Sequence, residues 1–286
     1  MVTQVTRKSM VIRPSGRSTD FISPSFGHGC LYNCSYCYMK RHKPEGLDIA
    51  KNTMNILTEI NSHCTFADVE KPNQTHPEYI TYDISCNEDF ALHAKYHEWQ
   101  KIFDFFKNHP KAMGSFATKY VNNKLLEFNP EGKVRIRFSL MPQVYANELE
   151  PNTSSIFHRL HAINDFTEAG YDVHINFSPV IVTDNWLFEY EKLFEAINDF
   201  VDDNKKSKVK AEVIFLTHNE GKHQYNLNHS LGGEDLLWKP QIQENKISQY
   251  GGKNIRYKHD LKAQYIKEWT KLHDEIIPWN TIRYIF

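Results

Sequence analysis

The feature that most constrains the fold is a regular alternation of apolar, strand-like runs with helical patterns. The clearest helix spans residues 186–201, where apolar positions recur at the spacing of a single helix face, and Asp184 is its predicted N-cap. Strands that alternate with helices are typical of βα units around a parallel sheet. Six strands are predicted, at residues 21–25, 79–85, 115–120, 134–140, 173–182 and 211–216.

Further helices are predicted at residues 48–61, 93–107 and 154–169. The polar stretch 218–241 interrupts the alternation and is predicted to be a loop or a partly ordered excursion. A hairpin turning at Gly251 and Gly252, a helix over 261–275 and a strand over 281–286 follow. We therefore predict an N-terminal extension (1–20), a βα domain (21–217) and a C-terminal cap (218–286).

Charge and hydropathy indicate which classes of protein the chain does not resemble. Thirty-four Lys and Arg balance 35 Asp and Glu, so the chain as a whole lacks the basic character of a nucleic-acid binder. No apolar run approaches the ~20 residues that span a bilayer, and the polar start lacks the apolar core of a secretory signal. The expectation is a cytoplasmic protein that does not associate with membranes.

Cys30, Cys34 and Cys37 form the motif C-x3-C-x2-C, in a chain with five cysteines. An odd number of clustered cysteines in a reducing compartment favours metal binding or redox chemistry over disulfides. The motif follows the first predicted strand, and parallel α/β sheets bind ligands at the carboxyl ends of their strands. The sequence therefore predicts a metal site at that edge of the sheet.

Two kinds of metal fit this spacing. Three thiolates can hold three irons of a 4Fe-4S cluster and leave the fourth iron open for a small-molecule ligand. Zinc normally takes four protein ligands, so a zinc site would need His28 or His42 in addition. Both alternatives are consistent with the spacing alone.

The motif, with an aromatic residue before its last cysteine, resembles that of the radical S-adenosylmethionine (SAM) superfamily. From about residue 8 to 286 the chain resembles the spore photoproduct lyase family, because five segments match in the family's order: "GCLYNCSYCYM", "ISCNED", "FATKY", "RIRFSL" and "AGYDVHINFSPVIVTDNW". The resemblance implies an α/β fold, a partial parallel (β/α)6 barrel of radical SAM type with a C-terminal α+β cap.

The resemblance also implies a chemistry. Cys30, Cys34 and Cys37 would ligate a 4Fe-4S cluster that binds SAM. One electron, from an external donor such as flavodoxin or ferredoxin, would cleave SAM to methionine and a 5′-deoxyadenosyl radical. That radical would abstract hydrogen from a thymine dimer in DNA, so the predicted function is a DNA-repair lyase.

Further residues match functional positions of the family. Cys86 would donate hydrogen to the substrate radical, Tyr36 and Tyr38 would help return it to regenerate SAM, and Lys119 and Ser139 would lie near SAM. Each has a simpler alternative. A lone cysteine is often a buried small apolar residue, as we expect for Cys64, and tyrosines often pack a loop.

The chain also departs from the family. Asn87 and Glu88 follow Cys86 where the family has small hydroxyl residues, and Gln249-Tyr250 replaces an Arg-Tyr pair on a hairpin that enters DNA. Asn87 and Tyr250 are candidate substrate-binding residues, whereas Glu88 is expected to place a negative charge near a phosphodiester. Two alternatives therefore stay open: a radical SAM enzyme acting on another nucleobase or small molecule, and a zinc-stabilised binding module.

One histidine pair resembles half of a metal site. His93 and His97 lie four residues apart on a predicted helix, but no Glu follows His93 as in the zinc-protease motif. We expect this pair to lie on a solvated helix face.

Overall fold

The structure is a computed structural model that describes residues 1–66, 70–247 and 253–286. Its residues separate into two compact units. The first comprises Met1–Leu31, His42–Phe138 and Ala162–His174, and the second comprises Tyr32–Arg41, Ser139–His161 and Ile175–Phe286. Each unit therefore combines segments that lie far apart in the sequence. The predicted domain boundaries after residues 20 and 217 stay a prediction.

The secondary structure of the described residues is as follows. Strands are β1 (Val2–Val5), β2 (Arg13–Pro14), β3 (Phe21–Ile22), β4 (Gly27–Gly29), β5 (Leu47–Ala50), β6 (Ile80–Asp83), β7 (Ala112–Thr118), β8 (Val134–Ser139), β9 (Asp172–Val180), β10 (Lys210–Phe215), β11 (Thr217–His218), β12 (Gln243–Ile247), β13 (Lys253–Tyr257) and β14 (Thr281–Ile285). Helices are α1 (Met39–His42), α2 (Thr53–Phe66), α3 (Phe90–His93), α4 (Trp99–Asn108), α5 (Gln143–Leu149), α6 (Ile156–Glu168), α7 (Trp186–Phe200), α8 (Asp203–Lys206), α9 (Glu220–Asn228), α10 (Glu234–Leu237) and α11 (His259–Ile276), with short 3-10 turns at Ala94–Tyr96 and Asn123–Glu127. None of the described helices is long and apolar enough to span a bilayer.

The main sheet has, in the described part of the chain, eight strands in the order β14-β10-β9-β8-β7-β6-β3-β2. Parallel pairing joins β3 to β6, β6 to β7 and β7 to β8, and also β10 to β14. The edge strand β2 is antiparallel to β3. The six predicted strands are all present, the strand predicted over 281–286 forms the edge strand β14, and β2 is an additional edge strand. The α/β fold with a mostly parallel half-barrel sheet, predicted from the resemblance, is confirmed.

The helices follow the sequence pattern where their apolar face is continuous. Helix α7 begins and ends almost as predicted, but its N-cap is Asn185 rather than Asp184. The predicted helix over 48–61 starts only at Thr53, because residues 47–50 form β5 and pair with β1 and β4. The predicted helix over 93–107 is broken into α3, a 3-10 turn and α4.

The prediction of a loop over 218–241 is wrong, because helices α9 and α10 lie there. Asn219 caps α9 by accepting a hydrogen bond from the backbone of Lys222 at 2.8 Å. The buried residues of α9 are the polar Lys222 and Asn226, so apolar periodicity gave no sign of the helix. Strands β12 and β13 form the predicted antiparallel hairpin. Its predicted turn at Gly251 and Gly252 lies outside the described residues.

Candidate active site

The three motif cysteines lie on the loop that follows β4. Cys30 belongs to the first unit, and Cys34 and Cys37 belong to the second. Cys30 and Cys34 are 9% and 5% exposed, and Cys37 is half-buried. The Cys37 N–H donates to the Cys34 carbonyl at 3.0 Å, which fixes the backbone between these two cysteines.

Ser35, next to Cys34, anchors the cysteine loop within the second unit. Its N–H donates to the carbonyl of Leu149 at 2.9 Å, and its hydroxyl donates to the carbonyl of Gly232 at 2.7 Å. Its own carbonyl accepts a hydrogen bond from Nδ2 of Asn226 at 2.8 Å. Gly232 and Asn226 lie 197 and 191 residues away in the sequence. No local sequence signal identifies Ser35 as an anchor.

Tyr36 is tied into a buried ionic network of the second unit. Its phenol donates a hydrogen bond to Oε1 of Glu150, and Oε2 of Glu150 lies 2.8 Å from the guanidinium of Arg159, with both side chains fully buried. Burial and the charge of Glu150 raise the pKa of Tyr36 well above its ordinary value. The phenol is therefore protonated, with its hydrogen directed at a carboxylate. Tyr38, the other predicted tyrosine, is 43% exposed.

Helix α9 contributes a buried lysine that the sequence analysis missed. Lys222 is 1% exposed, and its Nζ has no hydrogen-bond partner among the described residues. Burial lowers the pKa of Lys222 to about 8, although the negative charges of Cys37, Glu234 and Cys34 act to raise it. Lys222 is therefore a buried amine, and two of the motif cysteines are among the groups whose negative charge would attract it.

Glu234, at the start of α10, is hydrogen-bonded on both of its oxygens. Oε1 lies 2.9 Å from Nε2 of His218 and 2.6 Å from Nδ1 of His223, and Oε2 accepts from Asn226. Burial raises the pKa of Glu234, but these hydrogen bonds outweigh it and leave the pKa below its usual range. The nitrogen–oxygen distances are those of hydrogen bonds, so we interpret this cluster as the structural link between α9 and α10.

In the first unit, the turn that contains Cys86 is joined to the start of the cysteine loop. The N–H of Gly29, directly before Cys30, donates to the carbonyl of Asn87 at 3.0 Å. Nδ2 of Asn87 donates to the hydroxyl of Ser25 at 2.7 Å. Cys86 itself is half-buried. The backbone segments of Cys86 and Cys30 are thus neighbours, as expected for loops at the carboxyl ends of parallel strands.

Glu88 points into the first unit and away from solvent. Its Oε2 lies 2.9 Å from Nδ1 of His93 and 2.9 Å from Nε2 of His97, and its side chain is fully buried. Burial raises the pKa of Glu88, but the charge of His97 and the hydrogen bonds of both histidines outweigh it and lower the pKa to about 2. The prediction of a solvated face for the two histidines is therefore wrong. The prediction that Glu88 places a charge near a phosphodiester stays a prediction, and the carboxylate is shielded from solvent. The 3-10 turn after α3 directs both rings at the carboxylate.

His93 connects Glu88 to the cysteine loop. The N–H of Leu31, directly after Cys30, donates to Nε2 of His93 at 3.3 Å. Because Nε2 accepts this bond, the imidazole hydrogen is on Nδ1, where Glu88 accepts it. The backbone beside Cys30 is therefore held by a buried carboxylate through one imidazole.

Gly27, on β4, lies directly against the Glu88 carboxylate. A Cβ at this position would approach the carboxylate atoms to 2.3 Å, and two histidines hold that carboxylate in place. We expect Gly27→Ala to lower the free energy of unfolding by ~1–3 kcal/mol, measured by urea denaturation. Gly16→Ala is the control, since a Cβ there meets nothing within 4 Å. Equal effects of the two substitutions would contradict this packing argument.

Lys119 and Ser139, the residues predicted near SAM, lie at strand ends. Lys119 follows β7, and its N–H donates to Oδ2 of Asp89 at 2.8 Å, which ties this strand end to the chain just after Cys86. Ser139 ends β8, is 1% exposed, and accepts a hydrogen bond from Asn176 at 3.4 Å. Contact of either residue with a cofactor stays a prediction.

The remaining predicted residues divide into two groups. Tyr250, with the neighbouring Gln249, lies outside the described residues. His28, on β4, is half-buried, and burial lowers its pKa, whereas His42 is exposed at the end of α1. A zinc site that uses either histidine stays a prediction.

Comparison with known proteins relates this site to one family. The chain matches the family model described as spore photoproduct lyase over residues 1–286. A spore photoproduct lyase of Bacillus subtilis is 24% identical over 213 residues, which cover 73% of this chain and 59% of the relative. One from a Geobacillus species is 27% identical over 197 residues, which cover 67% of this chain and 54% of that relative. The matched region thus spans between half and three-fifths of the length of these relatives.

A solved structure gives the corresponding result for the fold. A spore photoproduct lyase variant with bound AdoMet and dinucleoside spore photoproduct has a TM-score of 0.88 and 20% identity, over 100% of this chain and 82% of that chain. This likeness shows that the two chains share a fold. Since the family model covers the whole chain, the protein belongs to the spore photoproduct lyase family.

Proposed function

We propose that this chain is a radical SAM lyase that repairs a thymine photoproduct in DNA. Family membership supports the reaction class, and a relative of the same fold holds AdoMet and dinucleoside spore photoproduct. The observation that carries the proposal is the hydrogen bond from Gly29 to Asn87, because it joins the turn of Cys86 to the start of the cysteine loop. A hydrogen donor and a radical source must be neighbours for this chemistry.

Cys30, Cys34 and Cys37 would hold the 4Fe-4S cluster. The residues fit this group: three cysteines share one loop, and the hydroxyls of Ser35 and Tyr36 between them are hydrogen-bonded to Gly232 and Glu150 respectively. Three thiolates leave one iron for a small-molecule ligand. When bound, the cluster supplies the electron that cleaves SAM to methionine and a 5′-deoxyadenosyl radical. Its own electron would come from a protein such as flavodoxin or ferredoxin.

Lys119 and Ser139 would hold the carboxylate of SAM. An ammonium and a hydroxyl both donate to a carboxylate, and the bond from the charged donor is the stronger. The Ser139 oxygen accepts from Asn176, so its hydroxyl hydrogen is left to donate. Asn87 and Tyr250 would contact the nucleobase-type substrate.

Cys86 would quench the substrate radical. The hydrogen of its thiol passes to the substrate carbon, and a thiyl radical is left on sulfur. Tyr36 and Tyr38 would then relay a hydrogen atom from 5′-deoxyadenosine to this thiyl radical, which would restore the Cys86 thiol and leave the 5′-deoxyadenosyl radical from which SAM is regenerated. The hydrogen bond from Tyr36 to Glu150 supports a fixed orientation of that phenol.

A repair assay tests the proposal. Protein reconstituted anaerobically with iron and sulfide is reduced with dithionite and incubated with SAM and a dinucleotide spore photoproduct. We expect thymine dinucleotide as the product. Formation of 5′-deoxyadenosine without repair would overturn the substrate assignment and support a radical SAM enzyme for another nucleobase or small molecule. A protein that binds zinc and no iron would overturn the enzyme assignment and support a binding module.

The variant Cys86→Ala tests the proposed hydrogen donor. We expect it to cleave SAM at the normal rate but to divert the substrate radical to side products, because the weak S–H bond is gone. Chromatography of the dinucleotide products measures the diversion. Cys64→Ala is the control, since Cys64 is a buried thiol of α2 outside the motif. Clean repair by Cys86→Ala would refute its role.

A further inference from the structure

Lys222 is a buried cation whose charge the proposed function does not explain. Its residue is 1% exposed, and its Nζ has no hydrogen-bond partner in the described part of the chain. Its Nζ lies 4.7 Å from the centroid of the Tyr225 ring. A buried ammonium without a partner is strongly unfavourable. Its retention in the interior therefore calls for a nearby anion.

Glu234 supplies only part of that negative charge. Its carboxylate already accepts hydrogen bonds from His218, His223 and Asn226. These donors use both oxygens, so the carboxylate is committed to holding α10 against α9. The ammonium of Lys222 is attracted by Glu234 but is not hydrogen-bonded to it.

The other negative groups that attract Lys222 are cysteines of the motif. As thiolates, Cys37 and Cys34 would both attract the ammonium. The geometry of α9 agrees, because Asn226 lies one turn after Lys222 on the same helix face. Asn226 donates to the carbonyl of Ser35, the neighbour of Cys34, at 2.8 Å. This face of α9 is therefore directed at the cysteine loop.

We propose that Lys222 is the counter-cation of the cysteine loop, and that its ammonium offsets the negative charge of the Cys34 and Cys37 thiolates when they hold the cluster. The inference rests on the proposed function only in taking these cysteines as cluster ligands. One electron from the external donor makes a cluster more negative. A fixed cation beside two of its thiolates favours that reduced state and so raises the reduction potential. Lys222 thus acts through the cluster and is not itself a catalytic residue.

The variant Lys222→Met tests this inference by a potential rather than by activity. The reconstituted holoenzyme is titrated electrochemically, and the reduced cluster is followed by electron paramagnetic resonance. We expect normal iron and sulfide content with a midpoint potential lowered by at least 59 mV, which is the one-electron equivalent of a tenfold change in the reduced-to-oxidised ratio. Lys222→Arg, which keeps the charge, is expected to retain most of the potential.

Lys239→Met is the matched control. Lys239 is also partly buried in the second unit, but its Nζ donates to the carbonyl of Val182 at 3.1 Å, and its attractive charges are Asp184 and Asp235. We expect its loss to leave the midpoint potential unchanged. A fully loaded Lys222→Met enzyme with the wild-type potential would overturn the inference, as would an equal shift in the control.

Iron content separates this inference from the proposed function. If the wild-type protein takes up no iron, the proposed function and the inference both fail. If wild type and Lys222→Met load fully and have equal midpoint potentials, only the inference fails.

Discussion

Replacement of Cys34 by alanine is expected to abolish iron uptake and, with it, all cleavage of SAM. Two remaining thiolates cannot hold three irons, so the geometry that leaves one iron open is lost. Iron and sulfide analysis after anaerobic reconstitution, together with the visible absorption of the protein, measures the first effect. Chromatographic assay of 5′-deoxyadenosine measures the second.

The loss of iron in Cys34→Ala is expected to result from removal of a cluster ligand and not from unfolding of the loop. Backbone and side-chain hydrogen bonds of Ser35 hold the loop, and none of them uses the Cys34 sulfur. The thermal midpoint of the metal-free variant should therefore stay close to that of the metal-free wild type. Cys64→Ala, which removes a buried thiol outside the motif, is expected to keep its iron. Iron content and SAM cleavage at wild-type levels in Cys34→Ala would refute the cluster assignment.

The parts of the site that could be predicted depend on short-range patterns. Spacing within one loop of eight residues, from Cys30 to Cys37, identifies a metal motif without knowledge of the fold. Apolar runs likewise identify the parallel strands, because strands buried on both faces are nearly continuous in apolar residues. The hydrogen bond from Gly29 to Asn87, which places the turn of Cys86 beside the start of the cysteine loop, agrees with the rule that loops meet at the carboxyl ends of parallel strands.

The parts that could not be predicted are buried polar contacts. Glu88, His93 and His97 lie in a polar segment, and such a segment is normally solvated. Only the helix break after His93 turns the three side chains toward each other. The burial of Lys222 could not be predicted either, because α9 has no apolar face that would indicate a buried side. Pattern analysis fails where a charged residue is buried against other polar groups instead of being exposed to solvent.

The Glu150–Arg159 pair is the buried contact whose disruption should cost the most stability. Arg159 lies 2.8 Å from Oε2 of Glu150 and also donates to the carbonyls of Ser139 and Ser154 and to the hydroxyl of Thr153. Glu150 in turn accepts the phenol of Tyr36. Removal of the guanidinium leaves a fully buried carboxylate without its compensating charge, which is far costlier than loss of an exposed pair.

We expect Arg159→Met to lower the free energy of unfolding by ~3–5 kcal/mol, measured by urea denaturation. The control is Lys192→Met, which breaks the pair with Glu189 at 3.3 Å, where Lys192 is 52% exposed, and should change stability by ~0–1 kcal/mol. The double variant Glu150→Gln/Arg159→Met removes the uncompensated charge and should recover part of the loss. Equal stabilities of Arg159→Met and Lys192→Met would contradict a buried pair. Recovery of stability in the double variant would show that the loss in Arg159→Met comes from the isolated charge of the Glu150 carboxylate. This carboxylate is the group that accepts the hydrogen bond of Tyr36.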